Sequence, residues 1–210
     1  MKFPIFASLI VFCLWLAYQL KKSDKAASSE KKSFWDREAE ANNTRRKSLE
    51  QLSYITIPTS ILSLTGIPGN VRMEECLELL STLSSQKIVN FTGLTNTDLK
   101  IQYGAPNINL LMEFDQNYTL LVRTLQSLAE ELFRAGKTSD ARMILEFAIS
   151  TRTDVSQSYF LLADIYEQDG ESSKKEELIQ AAEELNTVMK SAIVRTLQES
   201  GPYSGLLRSL

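Results

Sequence analysis

Histidine, the side chain that most often carries acid–base or metal chemistry, is absent from this chain. Without imidazole, Ser-His and Cys-His hydrolysis, most zinc sites and a switch near neutral pH drop out, while enzymes built on carboxylates or lysine stay open. The adjacent carboxylates are Glu130 with Glu131 and Glu183 with Glu184. Neighbours on a helix point to different azimuths, so neither pair predicts general acid–base work or a metal ligand set. Tyr103, Gly104, Ala105, Pro106 and Asn107 make a turn. No Gly-rich fingerprint and no Gly-Lys-Ser/Thr comes after it, so it is not a phosphate loop. An enzyme would need a tight cluster of shifted acids in a pocket, which helical spacing does not foreshadow. The reading is therefore of a non-enzyme with no catalytic residue, cofactor or metal.

The elements behind these residues are helical. The 210 residues suffice for one core-forming domain plus appendages, and 43% of them are hydrophobic, as in an ordinary folded chain. Only 8 Gly and 5 Pro interrupt a sequence rich in Leu, Glu, Ser, Ala and Lys. A net charge of -3 gives no reason to expect nucleic acid. Cys13 lies in an apolar run and Cys76 in an expected helix, environments too different for a disulfide framework.

Residues 3–20 read FPIFASLIVFCLWLAYQL, with no charge. As a helix this run would span roughly 27 Å, near a thin hydrocarbon core. The run is longer than a usual signal-peptide core, and it lacks a small-x-small cleavage site after it. Phe12 before Cys13 is too bulky for a lipoprotein signal. A retained single-pass transmembrane anchor over 1–22 is the expectation. Lys21, Lys22, Lys25, Lys31 and Lys32 lie after the span and only Lys2 precedes it. The positive-inside rule then puts the protein in the cell membrane with its C-terminal body in the cytoplasm. Three sequon matches, at Asn42, Asn90 and Asn117, read as chance.

Residues 23–48 form a charged juxtamembrane linker, flexible or partly helical, either solvated or resting on an anionic leaflet, with Phe34 and Trp35 as its apolar exceptions. The region 49–121 is expected to pack on the segment C-terminal to it. Within it, 52–64 (LSYITIPTSILSL) reads as an extended segment interrupted by Pro58, and 67–70 as a turn. Helices are expected over 73–88, from a cap at Asn96 or Thr97 to Tyr103, and from Pro106 onward.

The strongest pattern lies between 122–155 and 156–189. Leu128 and Ala129 pair with Leu162 and Ala163, Leu132 with Tyr166, Gly136 with Gly170, Leu145 with Ile179 and Ala148 with Ala182. One constant interval separates every pair, and it equals the tetratricopeptide period of about 34 residues. Ala129 is small where a second helix approaches, Gly136 allows the turn, and Ser139 or Asp140 can cap the helix after it. The stretch 122–189 resembles the tetratricopeptide family as two helical hairpins. It departs from the family at Lys175, where a small residue is usual, and at Thr153 and Thr187, where proline is common. Residues 190–210 are expected to give a capping helix and a tail. The fold class is thus all-α, with a transmembrane helix plus a helical-hairpin repeat domain. The whole also resembles small bacterial membrane-anchored repeat proteins, a likeness that supplies no function.

What the resemblance implies is a concave groove for a protein or peptide partner, lined by the first helix of each hairpin. On matching positions it involves Arg123, Gln126, Glu130, Phe133 and Arg134, then Gln157, Phe160, Asp164 and Glu167. Gln126 and Glu130 do not fit the family's carboxylate-clamping subset, so chaperone-tail binding is rejected. Phe133 and Phe160, aromatics on a polar face, are the expected anchors. The expected function is a membrane-anchored interaction scaffold. The alternative is a structural subunit of a larger or self-associating membrane complex.

Overall fold

A computed structural model describes residues 3–199, with side chains 3–9, 11 and 23–31 outside the description. Among the described residues every regular element is helical. The nine α-helices are α1 (Phe3–Asn42), α2 (Thr59–Leu62), α3 (Val71–Ser84), α4 (Asn96–Tyr103), α5 (Ile108–Arg134), α6 (Thr138–Ser150), α7 (Ser156–Gln168), α8 (Ser172–Glu183) and α9 (Lys190–Gln198). A 3₁₀ turn, Ala105–Asn107, leads into α5. The chain divides into two compact units, Met1–Ser48 with Thr95–Ile108, and Leu49–Leu94 with Asn109–Leu210.

The expected transmembrane helix is corrected. Among the described residues no helix is long and apolar enough to cross a membrane. The backbone does not set off 3–20 as a separate span; one helix of 40 residues runs from Phe3 to Asn42, through the charged stretch read as a linker. Of the expected span, the described side chains are Ile10 and those of 12–20, all exposed. They cover a rise of roughly 16 Å, about half a hydrocarbon core. The rest of the span lies outside the described side chains, as residues 200–210 of the expected tail lie outside the structure. Phe34 and Trp35 are exposed and meet edge to face, with ring centroids 5.4 Å apart.

In the first unit the C-terminal end of α1 packs on α4. Thr95, not Asn96 or Thr97, caps α4, in a reciprocal box with Asp98. The Glu38 carboxylate accepts hydrogen bonds from Lys100 and from the Thr97 hydroxyl, and Arg37 pairs with Asp98. The Lys100 bond holds Glu38 below the usual carboxylate range, and the Thr95 hydroxyl does the same for Asp98. Beyond α1 the chain runs antiparallel past the end of α4: Lys47 N–H donates to Tyr103 O at 3.2 Å and Ala105 N–H to Thr44 O at 3.1 Å. Asn107 is buried beneath this crossing. Its amide donates to Lys47 O and Tyr103 O at 2.9 and 2.8 Å, and its Oδ1 accepts from Arg46 Nε at 2.9 Å.

The second unit holds the main core. On α3, capped by Asn70 Oδ1 accepting from Met73 N–H, the buried residues Met73, Cys76, Leu80 and Leu83 recur every three or four positions. Along α5 the buried stripe includes Leu111, Phe114, Tyr118, Leu121, Leu125, Leu128 and Leu132. Within 52–64 the short helix α2 follows Pro58, whose backbone is extended, and Ile57 and Ile61 enter the core.

The repeat offset recurs in the backbone itself. Gly136 and Gly170 adopt φ of 76° and 73°, a left-handed conformation that glycine reaches without strain. Lys137 N–H donates back to Leu132 O at 2.9 Å, and Glu171 N–H to Tyr166 O at 2.8 Å, which closes both helices in the same way. The expected caps Ser139 and Asp140 lie inside the helix: the N-cap of α6 is Lys137, with no side-chain cap. Helices α6 and α8 start one repeat period apart, at Thr138 and Ser172, and so do α7 and α9, at Ser156 and Lys190. The first hairpin's leading helix is not a separate element from 122; it is the second half of the 27-residue α5.

The family departures find physical substitutes. Thr153 Oγ1 accepts from Val155 N–H at 3.2 Å, and Thr187 Oγ1 from Met189 N–H at 3.3 Å. Each threonine thus fixes the turn into the next helix with a local bond, where proline would fix it through its ring. Lys175 is half-buried, and its ammonium reaches across the hairpin to Glu167. Arg142 on α6 clamps the next turn, donating to Glu171 through both terminal nitrogens at 3.0 and 2.9 Å and to Asp169 at 3.0 Å. That hydrogen bonding holds the Glu171 carboxyl below its usual range.

Tyr118 gives the core a pH limit. Burial pushes its phenol from 10.0 up to about 12. The folded value exceeds the unfolded one, so this stabilisation is whole below pH 10 and is lost as pH rises through about 12. Urea titrations across that interval should show falling stability, with a smaller slope in Tyr118→Phe. Tyr159 and Tyr166, also raised by burial, act in the same direction. An identical slope in the variant would remove Tyr118 from this role.

Candidate functional site

The nine groove positions have unlike surroundings. Gln126 is buried: its amide donates to Glu130 Oε1 at 2.9 Å, and its Oε1 accepts from the Ser158 hydroxyl at 2.6 Å. It therefore joins α5 to α7. Asp164 is 2% exposed, and Phe133 and Phe160 are half-buried against the hydrophobic core. Arg134 reaches Glu130 at 3.4 Å and Glu131 at 2.7 Å, and Glu167 is taken by Lys175. Gln157 is half-buried; Arg123 is exposed. The two aromatics expected to meet a partner thus support the core, and most of the polar positions are engaged within the unit.

An open concavity of the second unit lies elsewhere, where α6 turns into α7 and α8 turns into α9. It is a cleft of about 570 Å³. Ser150, Thr151 and Arg152 form one wall; Glu184, Leu185, Asn186 and Thr187 form another. Position by position these walls are one repeat period apart, Ser150 matching Glu184 and Arg152 matching Asn186, so the cleft sets two copies of the same inter-hairpin loop beside one another. Asn90 and Thr92, with Ser53 and Ile55, complete the lining.

Asn90 organises this region. Its amide donates to Tyr118 Oη at 2.9 Å and to the carbonyls of Thr151 and Arg152 at 2.9 and 3.2 Å. Its Oδ1 accepts from Thr92 N–H at 2.8 Å. Tyr118 Oη donates to the Thr151 carbonyl at 3.2 Å. The Arg152 backbone held by these bonds has φ 60°, left-handed for a residue with a side chain. On the opposite wall Gly93, at φ 86°, abuts the other loop: a Cβ there would lie 2.6 Å from Asn186 O. The cleft is therefore built on fixed loops and carries one cation, Arg152, and one carboxylate, Glu184, 3.6 Å apart and both largely exposed.

Among the described residues no group of three Cys, Asp or Glu side chains is placed to hold a metal ion. The cleft's hydroxyls, amides and single ion pair suit binding by hydrogen bonds and charge. Sequence reasoning missed this site. Asn90 and Thr92 were visible only as a sequon match, and Thr187 only as a missing proline. Four short segments distant in sequence meet here, and the repeat period relates only two of them.

No family model, curated protein or solved structure matches this chain.

Proposed function

We propose that this chain is a protein-interaction scaffold, not an enzyme, and that its partner seats in the cleft of the second unit. One observation carries the reading. Two copies of one loop, a repeat period apart and held by Asn90, Tyr118 and Gly93, keep an open polar concavity of about 570 Å³ in a fixed form. Such preorganisation lowers the entropy cost of binding, which favours recognition of a partner over a flexible surface contact. The family resemblance of 122–189 points to the same class of function, with the binding residues moved from the helix faces to the loops.

The test is site-specific photo-cross-linking of the full chain in an extract of its source cells. A cross-linking residue at Ser53, in the cleft, is compared with one at Glu176, exposed on α8. A discrete adduct with one protein from position 53, missing from 176, is the expected result. The same adducts from both positions, or none from 53, would overturn the assignment.

A further inference from the structure

Most polar groups around the cleft are spent on holding its loops. The Thr151 hydroxyl donates to Ala148 O, the Ser150 hydroxyl to Phe147 O, and the Asn90 amide to three acceptors. The Thr187 hydroxyl lies 3.2 Å from Asp154 Oδ2. The Arg152 guanidinium differs: its backbone is clamped while its side chain is 72% exposed and, among the described residues, pairs with Glu184 alone, itself 70% exposed, at 3.6 Å. An exposed pair at that separation is held weakly and exchanges readily for a better-fitting anion. A left-handed backbone also strains an arginine where glycine would be spared.

Resting on the scaffold reading, we propose that the cleft recognises an extended acidic peptide segment. An Asp or Glu carboxylate of that segment takes Arg152 from Glu184, in a two-pronged contact that guanidinium geometry favours. The neighbouring Asn186, whose amide makes no hydrogen bond among the described residues, also lines the cleft and would meet the peptide backbone beside that carboxylate. Ile55 and Leu185 supply the apolar surface for an adjoining side chain. Glu184 then acts as an internal competitor, which sets the sign of the test.

The experiment measures fluorescence anisotropy of the full chain with two labelled pools of nine-residue peptides. The pools are identical except for a central Asp-Glu pair in one and Asn-Gln in the other. The acidic pool is expected to bind about tenfold more tightly, the scale of a charge-assisted contact. Arg152→Asn, which tolerates the left-handed backbone, should reduce it to the level of the neutral pool. Glu184→Gln should tighten it several-fold, a gain that misfolding does not produce. Equal binding of the two pools, indifference to Arg152→Asn, or weakening by Glu184→Gln would overturn the proposal. Displacement of the acidic pool by an equal concentration of succinate would overturn the peptide in favour of a small carboxylate. If the cross-link from position 53 survives Arg152→Asn, the scaffold reading stands and only the acidic ligand falls.

Discussion

Replacing Gly104 by alanine should cost the first unit about 3 kcal/mol, because two penalties coincide. Gly104 sits at φ 95° and ψ 136°, a combination nearly closed to residues with a side chain. Its missing Cβ also leaves room for the crossing strand: a methyl there would lie 2.3 Å from Arg45 O and 2.9 Å from Arg46 Cα. Both obstacles are backbone atoms, so no rotamer change relieves them. The crossing bonds from Lys47 N–H to Tyr103 O and from Ala105 N–H to Thr44 O should open together. Hydrogen exchange of those two amides reads this directly, with core amides of α5 as an internal reference. Undiminished protection of Lys47 and Ala105 in Gly104→Ala would mean that the crossing is looser than described.

The second large effect lies in the repeat core. Tyr159 is wholly buried, and its hydroxyl donates to Thr153 O at 2.9 Å. Truncation to alanine removes an aromatic side chain from a packed site, at about 3–5 kcal/mol. The phenylalanine variant keeps the ring and loses only the hydrogen bond, at about 1 kcal/mol. Urea titration of both variants separates the two contributions. An alanine variant no weaker than the phenylalanine one would show that the ring is not packed as placed.

These two sites differ in how far their roles could be read from the sequence. The importance of Tyr159 comes from its place one repeat period after Leu125, since an apolar residue recurring on one helix face marks a core position. Gly136 and Gly170 were legible for a related reason: a left-handed turn between helices has few chemical solutions. Gly104 was legible as a helix end, but the strand passing over it comes from residues 44–47, and only folding brings that distant segment into contact. The surroundings of the groove positions were hidden in the same way. Gln126 and Phe133 sit on a helix face that looks polar in projection. Whether it meets water depends on which other segments fold over it. The first helix shows a further limit, because an apolar run and a charged run can share one continuous backbone element without any change of period between them.

The start of α9 at Lys190, one repeat period after α7 begins at Ser156, places Ile193 one period after Tyr159 and two after Leu125. The C-terminal half thus behaves as a length-adjustable object. Where each unit's contacts are mostly with its neighbours, stability grows by increments and the ends keep their identity. A tandem duplication of residues 156–189 would be received as one more turn of the same thread: the Gly170 turn, the Thr187 loop and the Tyr159 seat would each be copied in phase. The added loop would lack the wall of Ser53, Ile55, Asn90 and Thr92 that completes the present cleft, so greater length would add loop pairs without adding full copies of it.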